Sequence, residues 1–322
     1  MGTDRMSNNG KKSTVARIIS LILKGAAMGA ANVIPGVSGG TIAFITGIYE
    51  ELINSIKSFD LDALKLLLKF KLKEFIAHTN LKFLCSVGAG AVASIVSFAK
   101  LLEYLLTNHE TLTMAFFFGL IISSVYLVGK QIGKWNGSAI FMLLLGVGIA
   151  VGIAFLKPMQ ENANPFWIFI CGIIAISSMI LPGLSGSYVL LILGNYLLIL
   201  NSISSLKFSI LIPMCLGCGI GMLAFSHILS YIFKHFRNGT IGLLTGFVAG
   251  SLAIIWPWKN RVFLTDEAGE FILKRGTEKI VVGYERFMPA MDGQVAIALL
   301  LMLVGAVLVI IIGRFDEHET ST

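Results

Sequence analysis

Two short runs in this 322-residue chain gather backbone amides and hydroxyls in the way an anion site requires. Ser38, Gly39, Gly40 and Thr41 follow Pro35-Gly36-Val37, and Ser185, Gly186, Ser187 and Tyr188 follow Pro182-Gly183-Leu184. Pro-Gly cannot continue a helix, so each run ends one helix and opens the next, leaving N–H groups without intrahelical partners. Those groups carry about half a positive elementary charge, glycine lets a ligand approach closely, and the hydroxyls add donors. Phosphate is the natural ligand of such a turn, with Ser38, Gly39, Gly40, Thr41, Ser185, Gly186 and Ser187 as the binding set. The plainer alternative is a tight turn in which serine caps a helix and glycine packs against a neighbour.

The same residues also fit nucleophilic chemistry. Gly36-Val37-Ser38-Gly39-Gly40 satisfies the G-x-S-x-G pattern of hydrolase nucleophile elbows, and Gly183-Leu184-Ser185-Gly186 looks like the serine motif of rhomboid intramembrane proteases. A nucleophilic serine needs a base. Of five histidines only His227 falls within an apolar block, and alignment of the two halves puts Phe98 at the matching place. A serine duplicated without its base suits anion binding better than acyl transfer, so an intramembrane serine hydrolase is the weaker reading and no enzyme activity is expected.

The elements that must position these turns are duplicated too. Residues 33–56 and 180–203 share ten of twenty-four positions at an offset of 147. Residues 87–98 resemble 216–227, and 112–126 resemble 240–253. With 56% hydrophobic residues, 13% charged ones and long apolar blocks throughout, the chain reads as an integral membrane protein. In each copy the Pro-Gly-x-Ser-Gly break falls inside such a block. Irregular backbone at membrane depth is tolerated only beside protein or a water-filled cavity, and broken helices in paired halves point to a transport site. The arms around the first break, about 18 and about 16 residues, would span only some 24 to 27 Å. The bilayer core is about 30 Å thick, so a re-entrant hairpin is expected.

Charge sets the topology. The first seventeen residues hold four Lys or Arg and the connection 57–82 holds six Lys, so both are expected in the cytoplasm and the block between them must enter and leave on one side. A hairpin followed by three crossings is an odd count, which inverts the second copy. The fold expected is an all-α integral membrane protein of two inverted repeats, each a re-entrant broken-helix hairpin plus three transmembrane helices. Its parts are a cytoplasmic tail 1–16, a first repeat 17–157, a second repeat 166–313 with an extracytoplasmic insertion 257–291, and a cytoplasmic tail 314–322. In the insertion FILK and EKIVVGYE could form a small hairpin, and Trp256 and Trp258 are expected as anchors at the outer interface.

The net charge of +7 does not indicate nucleic acid, because the basic residues lie in short connections beside apolar blocks, where they meet anionic lipid. Cys85, Cys171, Cys215 and Cys218 all fall within predicted spans, so neither a disulfide framework nor a zinc site is expected, and no cofactor is implied. Ionisable groups inside apolar blocks are functional candidates. Lys24, Met28 and Asn32 share one helix face, as do Thr46, Glu50 and Asn54, and these stripes could line a polar path from the cytoplasm. The candidates for that path or for ion coupling are Lys24, Asn32, Glu50, Glu51, Lys100, Glu103 and His227. Lys24, Glu50 and Glu51 equally suit the headgroup region, and Lys100 and Glu103 suit a mutually neutralising pair.

At PGVSGGT (35–41), GIYEELI (47–53), the degenerate PGLSGSY (182–188) and Gly250-Ser251 with Trp256-Pro257-Trp258, the chain resembles the polyprenyl-phosphate transporter family of the PopT type, long catalogued as a domain of unknown function. The resemblance implies a multi-pass protein of the bacterial cytoplasmic membrane, both termini cytoplasmic, that returns undecaprenyl phosphate, the lipid carrier of cell-wall sugar precursors, from the outer to the inner leaflet. It makes the two turns the headgroup contacts and a polyprenyl-phosphate lipid the partner. Moving a phosphate inward against an interior-negative potential costs about 2.3 kcal/mol per charge at 100 mV, so a co-transported proton or sodium ion is expected, through Glu50 or Glu51. A carrier or channel for small inorganic anions is the competing reading. Whether the chain forms a homo-oligomer is left open.

Overall fold

The computed structural model describes residues 3–33, 38–156, 158–263, 273–274, 278–279, 281–290 and 292–319. The first half comprises α1 (Thr3–Val33), α2 (Gly39–Ile45), α3 (Tyr49–Lys57), α4 (Leu61–Leu68), α5 (Leu72–His78), α6 (Leu81–Asn108), α7 (Glu110–Lys130) and α8 (Gly137–Phe155). The second comprises α9 (Pro165–Ile180), α10 (Gly186–Ile192), α11 (Tyr196–Ser204), α12 (Phe208–His235), α13 (Arg237–Ser251) and α14 (Gly293–Glu319). Six segments among the described residues are long and apolar enough to cross a membrane: Val15–Asn32, Leu81–Phe98, Glu110–Lys130, Gly137–Phe155, Phe208–His235 and Gly293–Ile311. The protein is an all-α, multi-pass membrane protein, as its composition predicts.

Lipid offers no hydrophobic drive between helices, so close approach at small residues must hold them together. Gly25 lies against Val87 and Gly29 against Ala91, which makes α1 and α6 parallel neighbours. Gly172 meets Met214 and Cys218, and Gly221 meets Ile173, so α9 and α12 are parallel in the same way. Two parallel helices in one copy require the chain between them to double back, and α2–α3 and α10–α11 are that return. A Cβ on Gly90 would strike the Ile22 carbonyl, and one on Gly217 the Phe169 carbonyl. Both partners in this contact are thus duplicated.

The return arm is not the single helix its apolar length suggests. It breaks at Gly47 (φ +70°) in the first copy and at Gly194 (φ +77°) in the second, left-handed positions that favour glycine. α10 and α11 are bent by 116°. Thr46 therefore caps the end of α2 while Glu50 and Asn54 belong to α3, and the stripe expected across them is interrupted.

One residue joins the next two helices in each half. His109 (φ −137°, ψ 42°) links α6 to α7, and Phe236 (φ −132°, ψ 44°) links α12 to α13. The carbonyls of these joints accept bonds from Thr113 Oγ1 at 2.8 Å and Thr240 Oγ1 at 3.0 Å. These matching joints put the halves 127 residues apart here, so His227 corresponds to Lys100 and not to Phe98. Runs of small apolar residues had let the sequence alignment slide by two.

The remaining helices pair across the halves. Gly119 meets Met302 and Gly305 meets Phe116, joining α7 to α14; Gly246 meets Leu143 and Gly146 meets Leu243, joining α13 to α8. Each contact recurs with the copies exchanged.

Two features belong to one half only. The connection 57–82 folds into α4 and α5; Asp60 caps α4 by accepting from Asp62 N at 3.0 Å and Ala63 N at 2.9 Å. Leu61, Leu64, Leu68 and Phe70 are exposed there beside Lys65 and Lys69, the pattern of a helix pair lying in a membrane interface. In the insertion β2 (Leu273–Lys274) pairs with β3 (Glu278–Lys279) as the expected small hairpin. However, β4 (Val281–Arg286) pairs with β1 (Lys259–Phe263), a strand missed because its run Lys-Asn-Arg-Val-Phe has no clear alternation. Trp258 is buried against Ala115, Val295 and Ala298 rather than anchoring at an outer surface, because the strand pair folds it back onto the bundle.

Candidate functional site

The two Pro-Gly-x-Ser-Gly turns meet at the centre of the protein. Pro35, Gly36 and Val37 lie outside the described residues, and the first turn is seen from Ser38 onward. Thr41 Oγ1 accepts from Gly183 N at 2.9 Å, and Ser38 Oγ donates to Leu181 O at 3.4 Å. Tyr49 OH donates to Ile180 O at 3.0 Å, so three groups of the first hairpin hold the second turn. Gly183 adopts φ +83° there, and a Cβ on it would collide with the Phe247 backbone. A Cβ on Gly40 would lie 2.9 Å from Ile180 O. Only glycines permit this approach.

The two helix starts differ in what they offer. In the first, Gly39 N donates to Asn32 Oδ1 at 2.8 Å, Gly40 N to Ser38 Oγ at 3.2 Å, and Thr41 N to Ser38 O at 2.9 Å. Ser38 is 3% exposed and Thr41 fully buried. All three amides at this start already have protein acceptors. In the second, Ser185 makes no side-chain cap bond to α10; its Oγ lies 2.9 Å from Ser187 Oγ, with Ser185 half-buried and Ser187 exposed. Tyr188 OH donates to Ala154 O at 3.2 Å, tying α10 to α8. The second start presents hydroxyls; the first consumes them.

The charged candidates lie toward the base of the first hairpin. Lys24 Nζ donates to Thr46 O at 2.8 Å, at the break between α2 and α3. Glu51 pairs with Arg17 at 3.0 Å and accepts from Asn80 Nδ2 at 2.9 Å, while Glu50 pairs with Arg237 at 2.7 Å. Asn54 accepts from Ser230 Oγ at 2.9 Å, and Lys57 reaches the same hydroxyl at 3.3 Å. Asn32 is drawn instead to the crook, where it caps Gly39. Lys100 is exposed, and the side chain of Glu103 lies outside the described residues, as does any pair between them. His227 is exposed and its Nδ1 lies 2.8 Å from Leu223 O on its own helix. Neither crook serine bonds an imidazole or carboxylate among the described residues. Those residues also hold no cluster suited to a metal ion, and the four cysteines are free.

Two residues that organise the site escaped sequence reasoning. Tyr49 spans the hairpins, and the fully buried Asn195 exchanges bonds with Asn162 (N to Oδ1, 2.9 Å; Nδ2 to O, 3.0 Å), fixing the second break to the chain before α9. The signal for the first was present, because Gly-x-Tyr recurs at 47–49 and 194–196.

An all-α, multi-pass membrane protein whose two halves each bring a broken hairpin to a shared contact defines the class. Residues 28–272 match the family described as undecaprenyl phosphate translocase-like, and the chain belongs to it. It is 39% identical over 300 residues to a polyprenyl-phosphate transporter of Vibrio cholerae serotype O1, covering 93% of this chain and 97% of that one. It is 34% identical over 255 residues to a polyprenyl-phosphate transporter of Staphylococcus aureus, covering 73% and 85%. No solved structure matches the chain.

Proposed function

We propose that this protein carries a polyprenyl phosphate, in particular undecaprenyl phosphate, from the outer to the inner leaflet of the bacterial cytoplasmic membrane. The observation that carries the reading is the meeting of two broken hairpins at Thr41 and Gly183 in a chain whose relatives bear the name polyprenyl-phosphate transporter. The halves are inverted in this reading. Support comes from direction: Ala139, Gly146 and Ala150 meet Gly242, Gly246 and Gly250 in order, so α8 and α13 are parallel. α7, the counterpart of α13, is joined to α8 by only six residues and runs the other way. Six lysines in 57–82 then put that face, and both termini, in the cytoplasm.

The phosphate binds at the paired crooks. Ser185 and Ser187 make first contact through their hydroxyls, with the Gly186 amide between them, and Ser38, Gly39, Gly40 and Thr41 join when the first crook opens. Cation coupling goes through Glu50 or Glu51, where a proton or sodium ion would compete with Arg237 or Arg17 for the carboxylate. Reconstituted protein in vesicles, with leaflet-resolved labelling of undecaprenyl phosphate, tests the substrate class. Transport of the lipid but not of free phosphate or halide is expected; transport of the free anions without the lipid would establish the competing inorganic carrier. Lipid movement indifferent to pH gradient, sodium gradient and voltage would remove the coupling.

A further inference from the structure

A groove of about 1250 Å³ runs along the outside of the first crook. Its walls are α1, α6, α7 and α14, and Ile42 and Ile45 of α2 close one side. Along α1 it is lined from Ala16 to Ala31, about 22 Å at 1.5 Å per residue, most of the depth of a bilayer core of about 30 Å. Leu, Ile, Phe and Ala dominate the lining. Drug-sized ligands occupy about 300–1,000 Å³, so this space is large for a small solute and far too apolar for a hydrated anion. Among the described lining residues Lys24 is the one lysine or arginine.

We infer that the groove holds the isoprenoid chain of the carried lipid while its phosphate is at the crooks, with Lys24 the charge complement to that phosphate as it moves along α1. The inference rests on the function proposed above and adds where the chain goes. Three observations favour this occupant. The groove adjoins the crook, because Ile42 follows Thr41, whose hydroxyl bonds the second turn. A single flexible chain fits a passage that is long, apolar and one-sided. The positive charge of Lys24, on a side chain that reaches the Thr46 carbonyl, suits an anionic headgroup.

The test uses full-length protein in vesicles and a polyprenyl phosphate carrying a photoreactive group on its chain. Labelling is expected on the α1 segment and on residues 98–120, and long-chain polyprenyl phosphate should compete it away while diacyl phospholipid does not. Ala27 is exposed to the groove, so Ala27→Phe fills the space without disturbing a buried contact. It should raise the half-saturating concentration of the long-chain lipid about tenfold and leave that of a short-chain prenyl phosphate within about twofold, since tenfold corresponds to ~1.4 kcal/mol of lost burial. Lys24→Met should weaken both phosphates and leave a neutral polyprenol unchanged. Labelling confined to other helices, equal competition by diacyl phospholipid, or an Ala27→Phe protein with wild-type long-chain kinetics would overturn the groove while leaving the transport function standing. Failure of wild-type protein to move any polyprenyl phosphate would instead remove the function on which the groove depends.

Discussion

The two crooks are close in sequence and opposite in state. At the first, Ser38 and Thr41 are buried and every amide from Gly39 to Thr41 is bonded within the protein. At the second, the Ser185 and Ser187 hydroxyls bond each other, with Ser185 half-buried and Ser187 exposed. The difference traces to neighbouring residues. Asn32 reaches forward from α1 to cap the first crook, and its counterpart 147 residues on, Met179, offers a thioether, only a weak acceptor for an amide. Gly40 and Thr41 become Ser187 and Tyr188, so the small glycine that fits against Ile180 O is replaced by an outward hydroxyl. Two copies of one motif thus divide the labour: one locks, the other presents.

Breaking the lock has the largest expected effect. Gly183→Ala places a Cβ against the Phe247 backbone at a left-handed φ, and Gly40→Ala pushes on Ile180 O; each should cost about 2–4 kcal/mol and lower the melting temperature in detergent. Gly186→Ala meets the flexible Met179 side chain and, at 2.7 Å, the Ala175 carbonyl without a left-handed φ, so its effect should be smaller than that of Gly183→Ala and comparable to that of Gly40→Ala.

Thr41→Val comes next. It leaves the buried Gly183 N–H without its acceptor, at about 1–3 kcal/mol, while Tyr188→Phe removes a half-buried bond to Ala154 worth about 1 kcal/mol. Thermal unfolding of the two variants side by side ranks them. Ser38→Ala should lose about 1 kcal/mol of cap energy. Ser185→Ala, which caps nothing, should leave stability unchanged.

The smallest effect concerns the connector that only the first half owns. The Ala63 amide, then His78, hold the Asp60 carboxyl below the usual carboxylate range. A depressed carboxylate stabilises above its unfolded pKa of about 4 and loses that contribution as pH falls through the lower folded value. Hydrogen exchange at α4 should therefore quicken as pH falls from about 4 toward 3, relative to α11, which has no such cap. Asp60→Asn should flatten the response.

Much of this fold is legible in the sequence because it rests on apolar length and on a motif written twice. Five of the six spans follow from hydropathy outside the hairpins; the sixth, Val15–Asn32, is the hairpin arm expected to be too short to cross, whereas the apolar block ending at Trp256 forms α13, only fifteen residues long. Three further features were not legible. The breaks at Gly47 and Gly194 lie inside runs that read as continuous helix, and only φ distinguishes a packing glycine from a turning one. The offset between halves changes from 147 at the hairpins to 127 at the His109 and Phe236 joints, because α4 and α5 occur once. At the site, the residue types were legible and their accessibility was not. Whether a crook is open depends on Asn32, which accepts from the Gly39 amide, and on the Leu181 carbonyl, which accepts from the Ser38 hydroxyl 143 residues away, partners that no local pattern announces.

The most direct measurement is the rate at which undecaprenyl phosphate changes leaflet in proteoliposomes containing Ser185→Ala/Ser187→Ala protein. With stability unchanged, that rate should fall at least about tenfold, the loss of roughly 1.4 kcal/mol of headgroup contact. A double variant that moves the lipid as fast as wild type would contradict the placing of the phosphate at the second crook.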